Sequence, residues 1–237
     1  MAYGTLYLIP CPISDETAPW DVLPAVNRDV MNSLDYFIVE NTRSARRFLS
    51  KAGVERPIGE LEFCELNEHT AAGREVEELV KPLLEGRSAG VISEAGVPGV
   101  ADPGALVVEA CHRRGIRVVP LVGPSSIILA VMASGLNGQS FAFNGYLPVK
   151  PPERAKAIRF FERRALTEGQ SQLFIEAPYR NGKLMEQLVQ TLGAETRLTV
   201  AVDLTAPGEL VETHTAGEWR RRRLPEMNKR PAIFIIG

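Results

Sequence analysis

Between Ile92 and Gly104 the chain reads Ile-Ser-Glu-Ala-Gly-Val-Pro-Gly-Val-Ala-Asp-Pro-Gly, with three glycines, two prolines and two acids in one short stretch. Such a composition suits neither a helix nor a strand, because glycine reaches backbone conformations closed to other residues and proline fixes φ and lacks an N–H. The run Ala89 to Ile92 ahead of it reads as a short buried strand, and Gly104 to Arg114 behind it keeps its apolar residues on one helical face. The stretch is therefore a loop leaving the carboxyl end of a strand, the place where open α/β sheets receive small molecules.

The same alternation runs along the whole first half. Apolar runs at Thr5 to Ile9, Tyr36 to Val39, Gly90 to Ile92 and Ile116 to Leu121 read as strands. Helical patterns fall near Asp21 to Asn32, Ser44 to Ala52, Gly73 to Glu85 and Pro103 to Arg114. Alternation of this sort predicts a mostly parallel sheet covered on both faces. After Pro120 the texture changes. Gly123-Pro124-Ser125-Ser126 gives a turn, Ile127 to Met132 a helix-like run, and Gly135 to Gly138 a break. Further strands are expected at Ser140 to Phe143, Gln172 to Glu176, Arg197 to Val202, Leu210 to Thr215 and Ala232 to Ile236, with helices near Glu153 to Ala165, Arg180 to Leu192 and Glu218 to Arg222. The later strands follow one another closely, so their sheet should contain antiparallel pairs. The expected fold class is α/β, with two α/β domains over 1–120 and 121–237, the first built on a mostly parallel sheet and the second on a mixed one.

Composition narrows the function. A formal charge of -2 on 237 residues supplies no global positive field, so contact with a polyanion would need a local basic patch. Three such groups stand out: Arg43, Arg46, Arg47 and Lys51; Lys150, Arg154, Lys156, Arg159, Arg163 and Arg164; and Arg220 to Arg223 beside Trp219. Each is open to two readings, a phosphate-neutralising patch or a solvated helix face. Cys11, Cys64 and Cys111 are too scattered for a disulfide framework or a zinc knuckle, and His69, His112 and His214 lack metal-ligand spacing, so no metal is expected. No secretory leader or apolar run of membrane-spanning length is visible, which points to a soluble cytoplasmic protein without membrane contact. The G-x-G-x-x-G fingerprint, the G-x-x-x-x-G-K-[ST] phosphate loop, G-x-S-x-G and H-E-x-x-H are all missing, which removes ordinary dehydrogenases, P-loop enzymes, serine hydrolases and zinc proteases.

What remains is a set of loops at predicted strand ends: Pro10-Cys11-Pro12-Ile13, Glu94 to Gly104, and Gly123-Pro124-Ser125-Ser126. Together with Glu40-Asn41-Thr42-Arg43, Val119 to Val122 and Gly145-Tyr146-Leu147-Pro148, they occur in an order and spacing that resembles the tetrapyrrole methylase superfamily. The likeness is nearest to its branch that methylates the 2′-hydroxyl of a cytidine in small-subunit ribosomal RNA. It runs from about Gly4 to Pro148, and more weakly through Ile175-Glu176-Ala177-Pro178-Tyr179-Arg180.

The resemblance implies an S-adenosylmethionine-dependent methyltransferase, a homodimer, with the cofactor in a cleft between two domains and ribosomal RNA or the small ribosomal subunit as partner. The cofactor contacts it implies are Pro10, Pro12, Glu94, Ala95, Gly96, Val97, Asp102, Gly123, Ser125, Ser126, Glu176 and Ala177. Several of these have a plain alternative: Asp102 before Pro103 also reads as a helix cap, as do Ser125 and Ser126, while Glu94 also reads as a solvated carboxylate and Pro10 and Pro12 as turn formers. Glu40, Arg43 and the Asn67-Glu68-His69 cluster are the polar groups expected near the methyl acceptor, with His69 or a carboxylate near Glu40 as general base. Arg43 reads equally as a surface residue in the first turn of a helix.

Three departures from the family pattern bear on the acceptor. Ser14-Asp15-Glu16-Thr17 stands where Gly-Asn is usual; Asn41 replaces an aspartate, and Asn67 and Thr70 depart from a histidine-rich, asparagine-containing motif; and Leu204-Thr205-Ala206 lacks the basic residue usual after Leu-Thr, with Lys229-Arg230-Pro231 in place of Lys-Gly-Glu. Methylation of another substrate, small molecule or tetrapyrrole, and cofactor binding without catalysis are the rival readings.

Overall fold

A computed structural model describes residues 2–66 and 74–237, and the chain divides into two compact units, Met1–Ser125 and Ser126–Gly237. In the first unit β1 (Thr5–Ile9), β2 (Tyr36–Val39), β3 (Glu62–Glu65), β4 (Ala89–Ile92) and β5 (Arg117–Pro120) form one sheet in the order β3-β2-β4-β1-β5. Every pairing in it is parallel, so all five strands end on the same edge. β2 and β4 are buried along their whole length, as strands covered on both faces must be. Alternation along β2 sends Tyr36 and Ile38 into one core with Leu6, Val80 and Val107, and Phe37 and Val39 into the other with Ile9, Leu49 and Ile92.

The helices of this unit are α1 (Pro19–Val22), α2 (Val26–Asn32), α3 (Thr42–Ala52), α4 (Arg74–Leu84) and α5 (Gly104–Arg113). The single helix expected over Asp21 to Asn32 is instead two, separated at Leu23 to Ala25, because Pro24 has no N–H to continue the first. β3 was not anticipated from the sequence. It is an edge strand whose only apolar pair, Phe63 and Cys64, lies between two exposed glutamates, a pattern that guards an edge and hides the strand.

The second unit contains α6 (Ser126–Ser134), β6 (Phe141–Tyr146), α7 (Pro151–Glu168), β7 (Ser171–Ile175), α8 (Asn181–Thr191), β8 (Arg197–Val202), β9 (Leu210–Thr215), α9 (Ala216–Trp219) and β10 (Ala232–Ile236). Its sheet runs β6-β7-β10-β8-β9, parallel between β6 and β7 and antiparallel elsewhere, the mixed sheet that the sequence implies. Phe174, Leu188, Val200 and Phe234 pack on one face with α7, α8 and Trp219. Leu173, Ala201, Ile233 and Ile235 pack on the other, against Ala130 of α6.

Beneath the end of β7 lies a charged group. The Glu176 carboxylate, only 1% exposed, receives Arg180 at 2.6 Å and lies 3.9 Å from Arg154, whose side chain is 7% exposed. Removing one member of a buried ion pair strands the other charge, which typically costs about 3–5 kcal/mol. Glu176→Ala should lower the unfolding free energy by that order of magnitude in urea unfolding, and a loss below about 1 kcal/mol, the worth of an exposed pair, would contradict the burial assigned here.

Candidate methyl-donor site on the carboxyl edge of the parallel sheet

β4, β1 and β5 are neighbours in the sheet, so the loops that follow them leave side by side. They also touch. Cys11 donates its N–H to the Gly96 carbonyl at 2.9 Å and its S–H to the Ser93 carbonyl at 3.4 Å, joining the loops after β1 and β4. The loop after β5 meets both of the others: a Cβ at Gly123 would lie 2.3 Å from Pro10 Cβ and Cγ, and one at Gly96 would lie 3.2 Å from the Pro124 carbonyl. Gly96 also takes φ +71°, a conformation that side chains with a Cβ rarely adopt. From outside the triplet, Asn27 of α2, only 1% exposed, donates its Nδ2 to the Val122 carbonyl at 2.9 Å and anchors the third loop. The sequence reading missed Asn27, because a buried amide inside an amphipathic helix has no local signature.

Asp102 holds the long loop closed. Its Oδ1 accepts the N–H of Gly99 at 2.8 Å and of Gly104 at 2.7 Å. α5 begins at Gly104, with Pro103 in the capping position, so Asp102 stands one residue before the cap and ties the loop to the helix start. Oδ2 is buried without a hydrogen-bond partner among the described residues. Burial drives the carboxyl above its ordinary pKa against the opposing pull of the two N–H groups. Cys11 is held in the same way: burial pushes its thiol up to about 12, so near neutral pH it is a protonated packing group and no nucleophile.

The loop after β2 joins this edge. Glu94 donates its N–H to Glu40 Oε2 at 3.4 Å, placing two carboxylate-bearing residues together. Asn41 caps α3 through Oδ1, which accepts from Arg43 at 2.9 Å and Ser44 at 3.1 Å. An asparagine here keeps the capping capacity of an aspartate while removing its charge. Arg43 projects from the first turn of α3, exposed, and its side chain makes no ion pair among the described residues. Between the loop after β1, α3 and Ser93-Glu94 lies a small hollow open to solvent. Asp15 crosses it, bound through both carboxylate oxygens to Arg47 at 2.7 and 2.9 Å and through its carbonyl to Lys51 at 2.9 Å. Asp15 of the unusual Ser14 to Thr17 segment thus directs its charge to α3.

The structure accordingly brings Pro10, Pro12, Glu40, Glu94, Ala95, Gly96, Val97 and Gly123 to one edge of the first unit, with Ser125 at its last residue. Ser126 opens α6, and Glu176 and Ala177 follow β7, all in the second unit, where the Glu176 carboxylate is engaged by Arg180. His69 lies outside the described residues. Among the described residues no group of three or more His, Cys, Asp or Glu is placed to hold a metal ion, and no helix is long and apolar enough to cross a membrane.

The family described as Tetrapyrrole (Corrin/Porphyrin) Methylases matches this chain over residues 18–219. The chain belongs to that family. Among curated relatives, "Ribosomal RNA small subunit methyltransferase I" of Xylella fastidiosa (strain Temecula1 / ATCC 700964) is 32% identical over 233 residues, spanning 98% of this methylase and 80% of that protein. The protein of the same name from Escherichia coli O157:H7 is also 32% identical over 233 residues, spanning 98% of this chain and 77% of its own. The fold is shared with the crystal structure of the methyltransferase CobJ, with a TM-score of 0.62, 15% identity and coverage of 99% of this chain and 94% of that one. A uroporphyrin-III-C-methyltransferase from Thermus thermophilus follows at a TM-score of 0.56, 20% identity and the same coverage. The protein is a methyltransferase, and its reaction requires a methyl donor.

Two backbone donors depend on the Asp102 carboxylate. Asp102→Ala should lower the unfolding free energy by about 2 kcal/mol, the cost of leaving such donors unpaired. Chemical denaturation would reveal this, and stability equal to the wild type would show that the loop closes without it.

Proposed function

We propose that this methylase transfers a methyl group from S-adenosylmethionine to the 2′-hydroxyl of a cytidine in small-subunit ribosomal RNA. The observation that carries the reading is the meeting of the loops after β1, β4 and β5, which forms a cradle of backbone groups at the carboxyl edge of a parallel sheet. The names of the two ribosomal RNA relatives, each spanning nearly the whole chain, support the acceptor.

The residues present fit the donor. Glu94 and Ala95 are exposed beside buried Gly96, while Gly96 and Gly123 let the neighbouring loops approach closely. Pro10, Pro12, Val97, Asp102 and Ser125 of the same unit complete the proposed contacts. Bound there, the cofactor supplies an electrophilic methyl group on a cationic sulfonium whose departure as a neutral thioether needs no acid. The chain's task is alignment, exclusion of water and removal of one proton. Glu40, adjoining Glu94, or His69 would take the proton from the ribose hydroxyl, and Arg43 would meet the substrate.

We assign two domains to the enzyme, over 1–120 and 121–237, a reading supported by the division into the compact units Met1–Ser125 and Ser126–Gly237. A ribosomal substrate places the protein in the cytoplasm. A homodimer is supported by α6, where Ile128 and Met132, one turn apart, are 46% and 73% exposed.

Incubation of the protein with small ribosomal subunits and methyl-labelled S-adenosylmethionine should place label on the 2′-oxygen of a cytidine after nuclease digestion. Glu40→Gln or His69→Ala, whichever removes the base, should slow transfer by about 10²–10⁴-fold. Label appearing only in small molecules, or nowhere, would overturn the acceptor.

A further inference from the structure

The charge of this protein is divided between its units. Met1–Ser125 has 12 Lys and Arg against 18 Asp and Glu, whereas Ser126–Gly237 has 15 against 11, so the formal charges are -6 and +4. A polyanion is thus repelled by the average field of the unit that bears the convergent loops and attracted by that of the other.

Within the whole chain, many cations are already committed. Arg47 and Lys51 bind Asp15, Arg154 and Arg180 flank Glu176, Arg164 pairs with Glu168, and Arg220 donates to the Val189 and Leu192 carbonyls at the end of α8. α7 carries a different set. Lys156, Arg159 and Arg163 are exposed, and their side chains make no ion pair, hydrogen bond or ring contact among the described residues. Their i, i+3, i+7 spacing puts them on one stripe, with axial intervals of about 4.5 and 6 Å.

Phe160 sits within that stripe. It is 54% exposed, yet its ring is held by a T-shaped contact with Phe161 at 5.1 Å, and Phe161 contacts buried Phe174 of β7 at 5.0 Å. A fixed, exposed aromatic ring among uncommitted cations offers a stacking face for a base and charge for the flanking phosphates. Arg221, Arg222 and Arg223 are also exposed, but they follow α9 on irregular chain that sets no such spacing.

We propose that the outward face of α7, formed by Lys156, Arg159, Phe160 and Arg163, docks the ribose-phosphate backbone of the RNA substrate. This deepens the proposed function and rests on its RNA acceptor. The stripe recognises phosphate by charge and any base by its π face, so it contributes affinity without sequence preference.

The test is equilibrium binding of small-subunit ribosomal RNA to the full chain across a salt series, with S-adenosylmethionine binding measured alongside. Loss of three phosphate contacts in Lys156→Gln/Arg159→Gln/Arg163→Gln should reduce the slope of log affinity against log salt by about 2–3. The wild type's advantage over this variant should then shrink roughly 20- to 40-fold between 50 and 200 mM salt. Arg159→Gln alone should show about a third of the slope change, and Phe160→Ala should weaken binding about tenfold with the slope intact.

The control, Arg113→Gln/Arg114→Gln/Arg117→Gln, removes equal charge from the first unit, where Arg113 and Arg114 are already paired with Glu77 and Glu109. It should keep the wild-type slope. An unchanged slope in the α7 variant, or an equal drop in both, would overturn the α7 surface while leaving the acceptor standing. A wild-type protein that binds S-adenosylmethionine but no RNA would overturn both.

Discussion

The meeting of the loops at the carboxyl edge of the parallel sheet depends on the closeness of Gly123 to Pro10. Parallel pairing places the ends of β4, β1 and β5 on one edge, but adjacent strand ends alone do not make a site. The loops must fold onto one another, and Gly123 permits it because a single added carbon would lie 2.3 Å from the Pro10 ring. Cys11 then locks the first loop to the second through Gly96, Asp102 closes the second on its own helix, and Asn27 holds the third. Each tie satisfies a polar group that burial would otherwise leave unpaired, so cradle and fold are stabilised by the same bonds.

Much of this was legible in the residues. The clustering of glycine and proline at Ile92 to Gly104 marked a loop at a strand end, and the switch between short apolar runs and helical periods marked the parallel sheet. Period and punctuation are local properties, and they survive in one dimension. β3 was hidden because its glutamates serve an exposed edge, and the break at Pro24 was hidden because the apolar period continues across it. Which loop touches which, and that Asn27 reaches Val122 across 95 residues, depends on pairing that no local pattern encodes.

The departures from the family pattern acquire physical meaning in the same way. Asn41 still caps α3, and Asp15 is absorbed by Arg47 and Lys51. Arg230 binds Asp203 at 2.6 Å and the Gly208 carbonyl at 2.6 Å, so the segment before β10 serves the second unit's own structure. Basic residues that look alike in sequence are likewise divided by the fold into those spent on internal acids and those left facing solvent. The charged group around Glu176 falls in the first class and the α7 stripe in the second.

The most direct measurement is the affinity for S-adenosylmethionine by calorimetry of Gly123→Ala beside Gly59→Ala, a glycine around which a Cβ meets nothing within 4 Å. If contact between the loops builds the donor site, Gly123→Ala should bind at least about tenfold more weakly, a change of about 1.4 kcal/mol, with Gly59→Ala matching the wild type. Unchanged affinity in Gly123→Ala, in a protein that still folds, would contradict the account.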